Sequence, residues 1–418
     1  MRLNRHLPRR VSRCGWFELP TQAPTSRAAE SRAAPAPGAQ RWLPRSAQGA
    51  LEVLPLWLFS LMISQWSGPF GTRVLRVNWW AATDAVSRIS PYRAWLPDGA
   101  VFELPPAAAL LLSPLAVGGY LAWQLIWPLV QVLAVRSMLR VAGIRAGWPR
   151  LVGGLLVFGA VAPTRDDARL GGIGLVLLAL AMVGLVGHRY SPAGERCGPG
   201  TGVGLGLAMA VAWPLLGMVV LLLAVGRRRS ALTALVTAGL ASWMGWLLVP
   251  GAASWFTRLP SLRAWALPDT GGYCLVGTLD RLLLLSDFGA WLVILSGSLL
   301  LALVLVPARR WWLAGYRLLA VGVVGLAGSL VLPIPAAVAV SWVVPAIVGG
   351  WRATGLGLPT KVLLWGWFGW LALVPRFDWS ADVAAWFGTA VIMLLAIGCV
   401  REHQSRHPES RDDRCVPG

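Results

Sequence analysis

Two carboxylates stand in matching surroundings about 170 residues apart. Arg93-Ala94-Trp95-Leu96-Pro97-Asp98-Gly99 recurs as Arg263-Ala264-Trp265-Ala266-Leu267-Pro268-Asp269-Thr270-Gly271. A carboxylate beside a guanidinium at a membrane surface can act as a general base, bind a metal or gate a cation path. The same pattern also serves structure. Pro-Asp followed by Gly, directly or one residue on, is turn chemistry, and Arg with Trp anchors a loop among lipid headgroups. A repeated loop is inherited as readily as a repeated site, so the anchoring role is the expectation. Asp98, Asp269, Arg93 and Arg263 stay as candidates for a substrate or ion path.

Asp287 is the sharper candidate for such a path. It follows Ser286 about six residues into an apolar run, roughly 9 Å along a helix at 1.5 Å per residue. A charge buried there is costly, so such residues are functional candidates by default. Its counterpart in the first copy falls near Pro114, so the acid is not part of the repeated unit. Glu52 stands at the mouth of the first apolar run and reads as an interfacial residue. Asp166-Asp167, between Arg165 and Arg169, reads as a neutralised loop rather than a metal dyad.

Other patterns point to packing. Gly198 to Gly206 resembles a phosphate loop but lacks the Lys-Ser/Thr that would follow it. Gly202 and Gly206 instead make a G-x-x-x-G face for close helix contact, and Gly322, Gly325 and Gly328 are expected to do similar packing work. The five cysteines and four histidines form no metal or haem pattern, so neither metal nor cofactor is expected. Cys197 and Cys274 would share one side of the membrane in the preferred topology, where a disulfide is open to them. Many of the 25 Trp residues flank apolar runs, as in the aromatic belt of membrane proteins.

The elements that position these residues follow from composition. The chain is 56% hydrophobic and 13% charged, with a mean hydropathy of +0.62. Soluble domains carry roughly 25% charge. Runs of apolar residues fall at about 51–66, 105–135, 151–163, 170–187, 202–226, 231–256, 282–306, 311–332, 334–350, 362–375 and 382–400. In lipid the backbone must satisfy its own hydrogen bonds, so the runs are expected as helices. The fold class is therefore all-α: a polytopic helical membrane protein with a two-fold internal repeat. The halves are 50–226 and 231–400. They lie between a basic, disordered cytoplasmic tail (1–49) and a disordered tail (401–418).

Charge sets the count. The net charge is +19, and Lys361 is the only lysine among 37 basic residues. These cations sit in short loops between apolar runs, which is the pattern of membrane orientation rather than of nucleic-acid binding. Anionic lipids are the expected partner, with partner subunits open. Eleven alternating spans would make the halves an inverted repeat and scatter the basic loops over both faces. Ten spans gather the clusters at 136–150, 227–229, 309–317 and 352–361 on the cytoplasmic side with both termini. The run Leu151 to Pro163 is then the one that does not cross, the repeat loops and a loop near 188–201 lie outside, and the halves are parallel. Ten is preferred.

For function the leading expectation is a transporter or permease-type subunit in the cell membrane. Repeated halves, prolines within apolar runs and an intramembrane acid fit that plan. The alternative is a membrane enzyme, glycosyltransferase-like, acting on a lipid-linked substrate at the outer face. The loop after the first span would supply its acids, from Asp84, Asp98 and Glu103. A non-catalytic scaffold is the third class.

Overall fold

The structure, a computed structural model, describes residues 45–66, 72–92, 102–186, 202–212, 215–258, 287–331, 342–352 and 358–373. The chain divides into Met1–Ser46 and Ala47–Gly418, and the second unit carries the fold below. The described residues form fifteen α-helices and one 3-10 turn, with no strand among them. Residues 45–49, expected in the disordered N-terminal tail, instead begin the first helix; the rest of that tail, the tail at 401–418 and the proposed Cys197–Cys274 pair lie outside the described residues.

Helices α1 (Arg45–Trp66), α2 (Arg73–Val86) and α3 (Pro106–Leu111) lead into a 3-10 turn at Ser113–Ala116. Then come α4 (Tyr120–Val141), α5 (Trp148–Gly159), α6 (Ala162–Leu170) and α7 (Gly174–Val186). Next are α8 (Val203–Val211), α9 (Leu216–Ala224), α10 (Arg228–Leu248) and α11 (Ala252–Arg258). The last four are α12 (Asp287–Leu313), α13 (Arg317–Val331), α14 (Val343–Arg352) and α15 (Leu358–Leu373). By length and composition, α4 and α10 can each cross a membrane alone. At 1.5 Å per residue each reaches roughly 30 Å, the thickness of a bilayer core.

The bundle has two chemically distinct ends. At one, Gly245 near the end of α10 lies against Pro106 and Ala107 of α3. Trp255 of α11 donates its indole N–H to the Glu103 carbonyl (3.0 Å), and Tyr120 at the start of α4 bonds to Thr72 before α2. This is the loop end. The opposite, basic end holds the end of α4 and the start of α10. Here Arg227 and Arg317 place their guanidiniums over the Trp312 ring, at 5.3 and 5.7 Å. Arg309 Nε donates to the Ala224 carbonyl (2.8 Å). α14 runs back along α13, with Gly322 against Ala346 and Gly349 against Leu319, which returns Arg352 to the basic end.

Between α4 and α10 the chain leaves the basic end twice and returns to it twice. α8 leaves the basic end alongside α10: Gly202 meets Ser230, and Gly206 meets Ala234 and Thr237. α9 returns, and Ala224 receives Arg309 at the same end. Each limb has nine helical residues, about 14 Å. Pro214 stands between them, and proline cannot continue a helix from within. α5 likewise starts at the basic end beside Glu52. α6 folds at its tip, and α7 comes back to place Gly184 beside Gly204.

Three sequence expectations change accordingly. The run 202–226 divides into two short helices. The run 151–163 does not stop at the basic end but continues into α6, whose last turn meets Thr72 at the loop end, and 170–187 runs back from there. The helices joined by 187–201, α7 and α8, meet at the basic end, not the loop end. Apolar length alone cannot separate a crossing from a return. Because each hairpin returns, the basic residues before and after them still share one end.

Gly143 and Gly315 both take left-handed backbone, φ 73° and 91°. Each closes a long helix in the same way: Ile144 N–H reaches the Leu139 carbonyl (2.9 Å) and Tyr316 N–H the Trp311 carbonyl (2.8 Å). A residue with a Cβ is strained there, which is why glycine ends both helices. The two matching helices, α4 and α12, run in the same direction, toward the basic end.

Candidate active site at the loop end

Three elements converge on Thr72. Its backbone N–H donates to the Arg169 carbonyl at the end of α6 (3.1 Å). Its hydroxyl pairs with the Tyr120 hydroxyl of α4 (2.7 Å), and Gln124 donates an amide N–H to it (3.2 Å). Thr72 takes left-handed backbone, φ 62°, a conformation that costs a non-glycine residue energy and persists only where its surroundings hold it. These bonds do so, and they fix the direction in which α2 sets out.

α2 then carries two faces. Leu75, Asn78, Ala81 and Ala82 are buried. Arg76, Trp80 and Asp84 fall at i, i+4 and i+8 and are half-buried together, so they form one stripe along the helix. Arg73, exposed, stands one turn before Arg76. The Arg76 guanidinium lies over the Tyr120 ring at 5.5 Å. Trp79 touches both Trp80 (centroids 5.1 Å) and Tyr120 (5.8 Å). From α6, Arg165 and the exposed Arg169 add cations near the same junction. The stripe therefore reads cation, aromatic ring, carboxylate over eight residues, about 12 Å.

Behind the stripe the loop end is tightly built. Tyr92 donates its phenol to the Leu104 carbonyl (3.0 Å) and packs on Phe102 (5.7 Å), and its burial pushes the phenol pKa well up. Glu103 sits in the same segment, and burial raises its carboxyl above the ordinary range. Both residues brace the platform on which α2 rests.

Comparison with protein families decides the class. Residues 102–333, more than half of the chain, match glycosyltransferase family 87. The chain belongs to that family. No curated protein matches it, and no solved structure does.

A membrane glycosyltransferase replaces the transporter expected from the sequence: the family performs glycosyl transfer, so the repeated halves and intramembrane acid did not indicate a permeation path. Asp287, the acid that supported transport, opens α12 as described, about 20 Å from the helix midpoint at 1.5 Å per residue. Arg93, Asp98, Arg263 and Asp269 lie outside the described residues. Asp84 and Asp98 precede the matched stretch, while Glu103, Asp269 and Asp287 fall within it.

Two other candidates find structural roles in this glycosyltransferase. Glu52 is not interfacial but 2% exposed. Its carboxylate pairs with Arg136 (3.0 Å) and Arg150 (3.4 Å) and accepts the Gly147 N–H. Asp166 and Asp167 sit in a helix, α6, rather than a loop. Asp166 faces Arg165 at 3.9 Å. Asp167, buried, accepts the N–H groups of Gly174 (3.2 Å) and Leu175 (2.9 Å), capping α7 from outside it. Among the described residues no group of three His, Cys, Asp or Glu could hold a metal ion. The stripe on α2 escaped the sequence reading, although its i, i+4, i+8 spacing was there to be seen.

Proposed function

We propose that this family 87 glycosyltransferase moves a sugar from a lipid-linked phosphate donor to an acceptor hydroxyl at the loop end of the bundle. The observation that carries the reading is the Arg76–Trp80–Asp84 stripe, with Arg73 at its head, in a chain of a glycosyltransferase family. Asp84 takes the proton of the acceptor hydroxyl as general base. The acceptor oxygen forms a bond to the anomeric carbon as the carbon–oxygen bond to phosphate breaks, through an oxocarbenium-like transition state. The electron pair leaves with the phosphate, whose charge Arg73 and Arg76 meet. Trp80 offers a flat apolar face to the sugar's C–H groups.

A lipid carrier suits the surroundings. Leu121 and Leu125, exposed on α4, run away from Tyr120 one turn apart, an apolar path beside the phosphate site. In this reading the protein is a multi-pass component of the cell membrane. The basic end and both termini face the cytoplasm, as short basic loops dictate, and the site faces outward.

The test is transfer from an isoprenoid-phosphate sugar in membranes holding the full chain. Asp84→Asn is expected to cut the rate by about 10²- to 10⁴-fold, the usual worth of a general base, while donor binding persists. Arg76→Gln is expected to raise the KM for the donor. An Asp84→Asn variant at wild-type rate alongside an inactive Asp98→Asn would move the base to Asp98. Equal transfer from a water-soluble sugar nucleotide would remove the lipid-linked donor.

A further inference from the structure

We propose that the apolar outer face of α9 and α12, at the basic end, holds an anionic phospholipid whose headgroup rests on Arg309 and Arg227. On α12, Leu295, Leu299, Leu303 and Val306 are exposed, at i, i+4, i+8 and i+11, which is one continuous apolar face. On α9, Leu216, Val220 and Leu223 are exposed, at i, i+4 and i+7. Gly217 holds the two helices close: a Cβ built there would lie 3.2 Å from Leu301. At the base of both stripes, exposed Arg309 bridges them by donating Nε–H to the Ala224 carbonyl (2.8 Å).

That bond uses one of the five guanidinium donors and leaves the rest for a ligand. Arg227 adds a second cation, positioned by Trp312. The protein supplies no counter-charge nearby in sequence. There is no Asp or Glu between Glu195 and Asp269, nor between Asp287 and Asp378. Among the described residues neither Arg227 nor Arg309 forms an ion pair, and cations at the foot of an apolar face match an anionic headgroup with chains above it. The ten residues from Leu299 to Arg309 span about 15 Å, the depth of one leaflet. The stripes therefore argue for a lipid rather than a free anion. The site lies at the opposite end from the α2 stripe and does not depend on the glycosyl-transfer reading.

The experiment is native mass spectrometry of the full chain in detergent with phosphatidylglycerol or phosphatidylcholine. The unsubstituted chain is expected to retain phosphatidylglycerol at least about 10-fold better. Arg227→Gln with Arg309→Gln is expected to lower that retention about 5-fold per arginine, each cation being worth about 1 kcal/mol near an anionic surface, and to leave phosphatidylcholine unchanged. Equal retention of the two lipids by the unsubstituted chain overturns the proposal without any variant. So does full displacement by millimolar inorganic phosphate, which would mark a free-anion site. An equal loss from Arg228→Gln with Arg229→Gln would reduce the site to general surface charge and overturn it too.

Discussion

Glu52 shows what one carboxylate does when its neighbours are guanidiniums. It joins α1 to the end of α4 through Arg136 and to the start of α5 through Arg150 and the Gly147 N–H. Removing one partner of a buried pair leaves the other charge unpaired, at about 3–5 kcal/mol. Glu52→Gln is therefore expected to lower the thermal unfolding midpoint in detergent clearly. Glu52→Leu with Arg150→Met should recover part of the loss, because it removes both charges. A Glu52→Gln chain that melts with the wild type would show the clasp to be idle. Glu103 makes the opposite kind of statement. Burial raises its folded pKa above the unfolded value, so the folded chain binds the proton more tightly. Its contribution is complete below the ordinary carboxylate range and is lost as pH rises through the raised folded value. Glu103→Gln should flatten that fall in a melting series from pH 4 to pH 8, and should leave the Trp255 bond intact because that bond goes to the backbone.

At the scale of elements, glycine decides how closely helices approach. A Cβ built on Gly206 would lie 2.6 Å from the Ala234 carbonyl oxygen, where backbone cannot yield cheaply. Gly206→Leu is thus expected to part α8 from α10 and cost about 1–3 kcal/mol, the usual price of overpacking, while Gly239→Leu, with open space around it, should be tolerated; chemical melts of the two variants side by side would check this. The G-x-x-x-G spacing made that contact legible in the sequence, and apolar composition made the helical class legible. The hairpins were less so. Hydropathy reports that a segment prefers lipid, but whether it crosses or returns depends on the neighbour it packs against, and Pro214 and the 13-residue run at 151–163 were the only local signs. The site was half legible. Asp84 was named among three loop acids, but the repeated Arg-Trp-Pro-Asp loop drew attention from the Arg76–Trp80–Asp84 spacing, which needs no repeat to make a surface. Thr72 could not have been foreseen, because its role depends on α4 and α6 arriving at the same point.

For the whole molecule, the question is whether the stretch between α4 and α10 ends on the side of the membrane where it began. Eleven alternating spans would put the basic residues after α4 and those before α10 on opposite sides. Two returns to the basic end put them on the same side, and α4 and α12, the helices that the sequence matches, run the same way. Exposed positions separate these arrangements. With the native cysteines replaced, Arg140→Cys, Arg229→Cys and Leu313→Cys should react with a membrane-impermeant thiol reagent only after the cell membrane is permeabilised. Ser87→Cys and Thr257→Cys, at the loop end, should react in intact cells. Labelling of positions 140 and 229 from different sides would sink the hairpin arrangement. The same experiment bears on catalysis. Ser87 caps the helix that carries Asp84, so under the proposed reaction the side on which position 87 reacts is the side on which donor and acceptor meet.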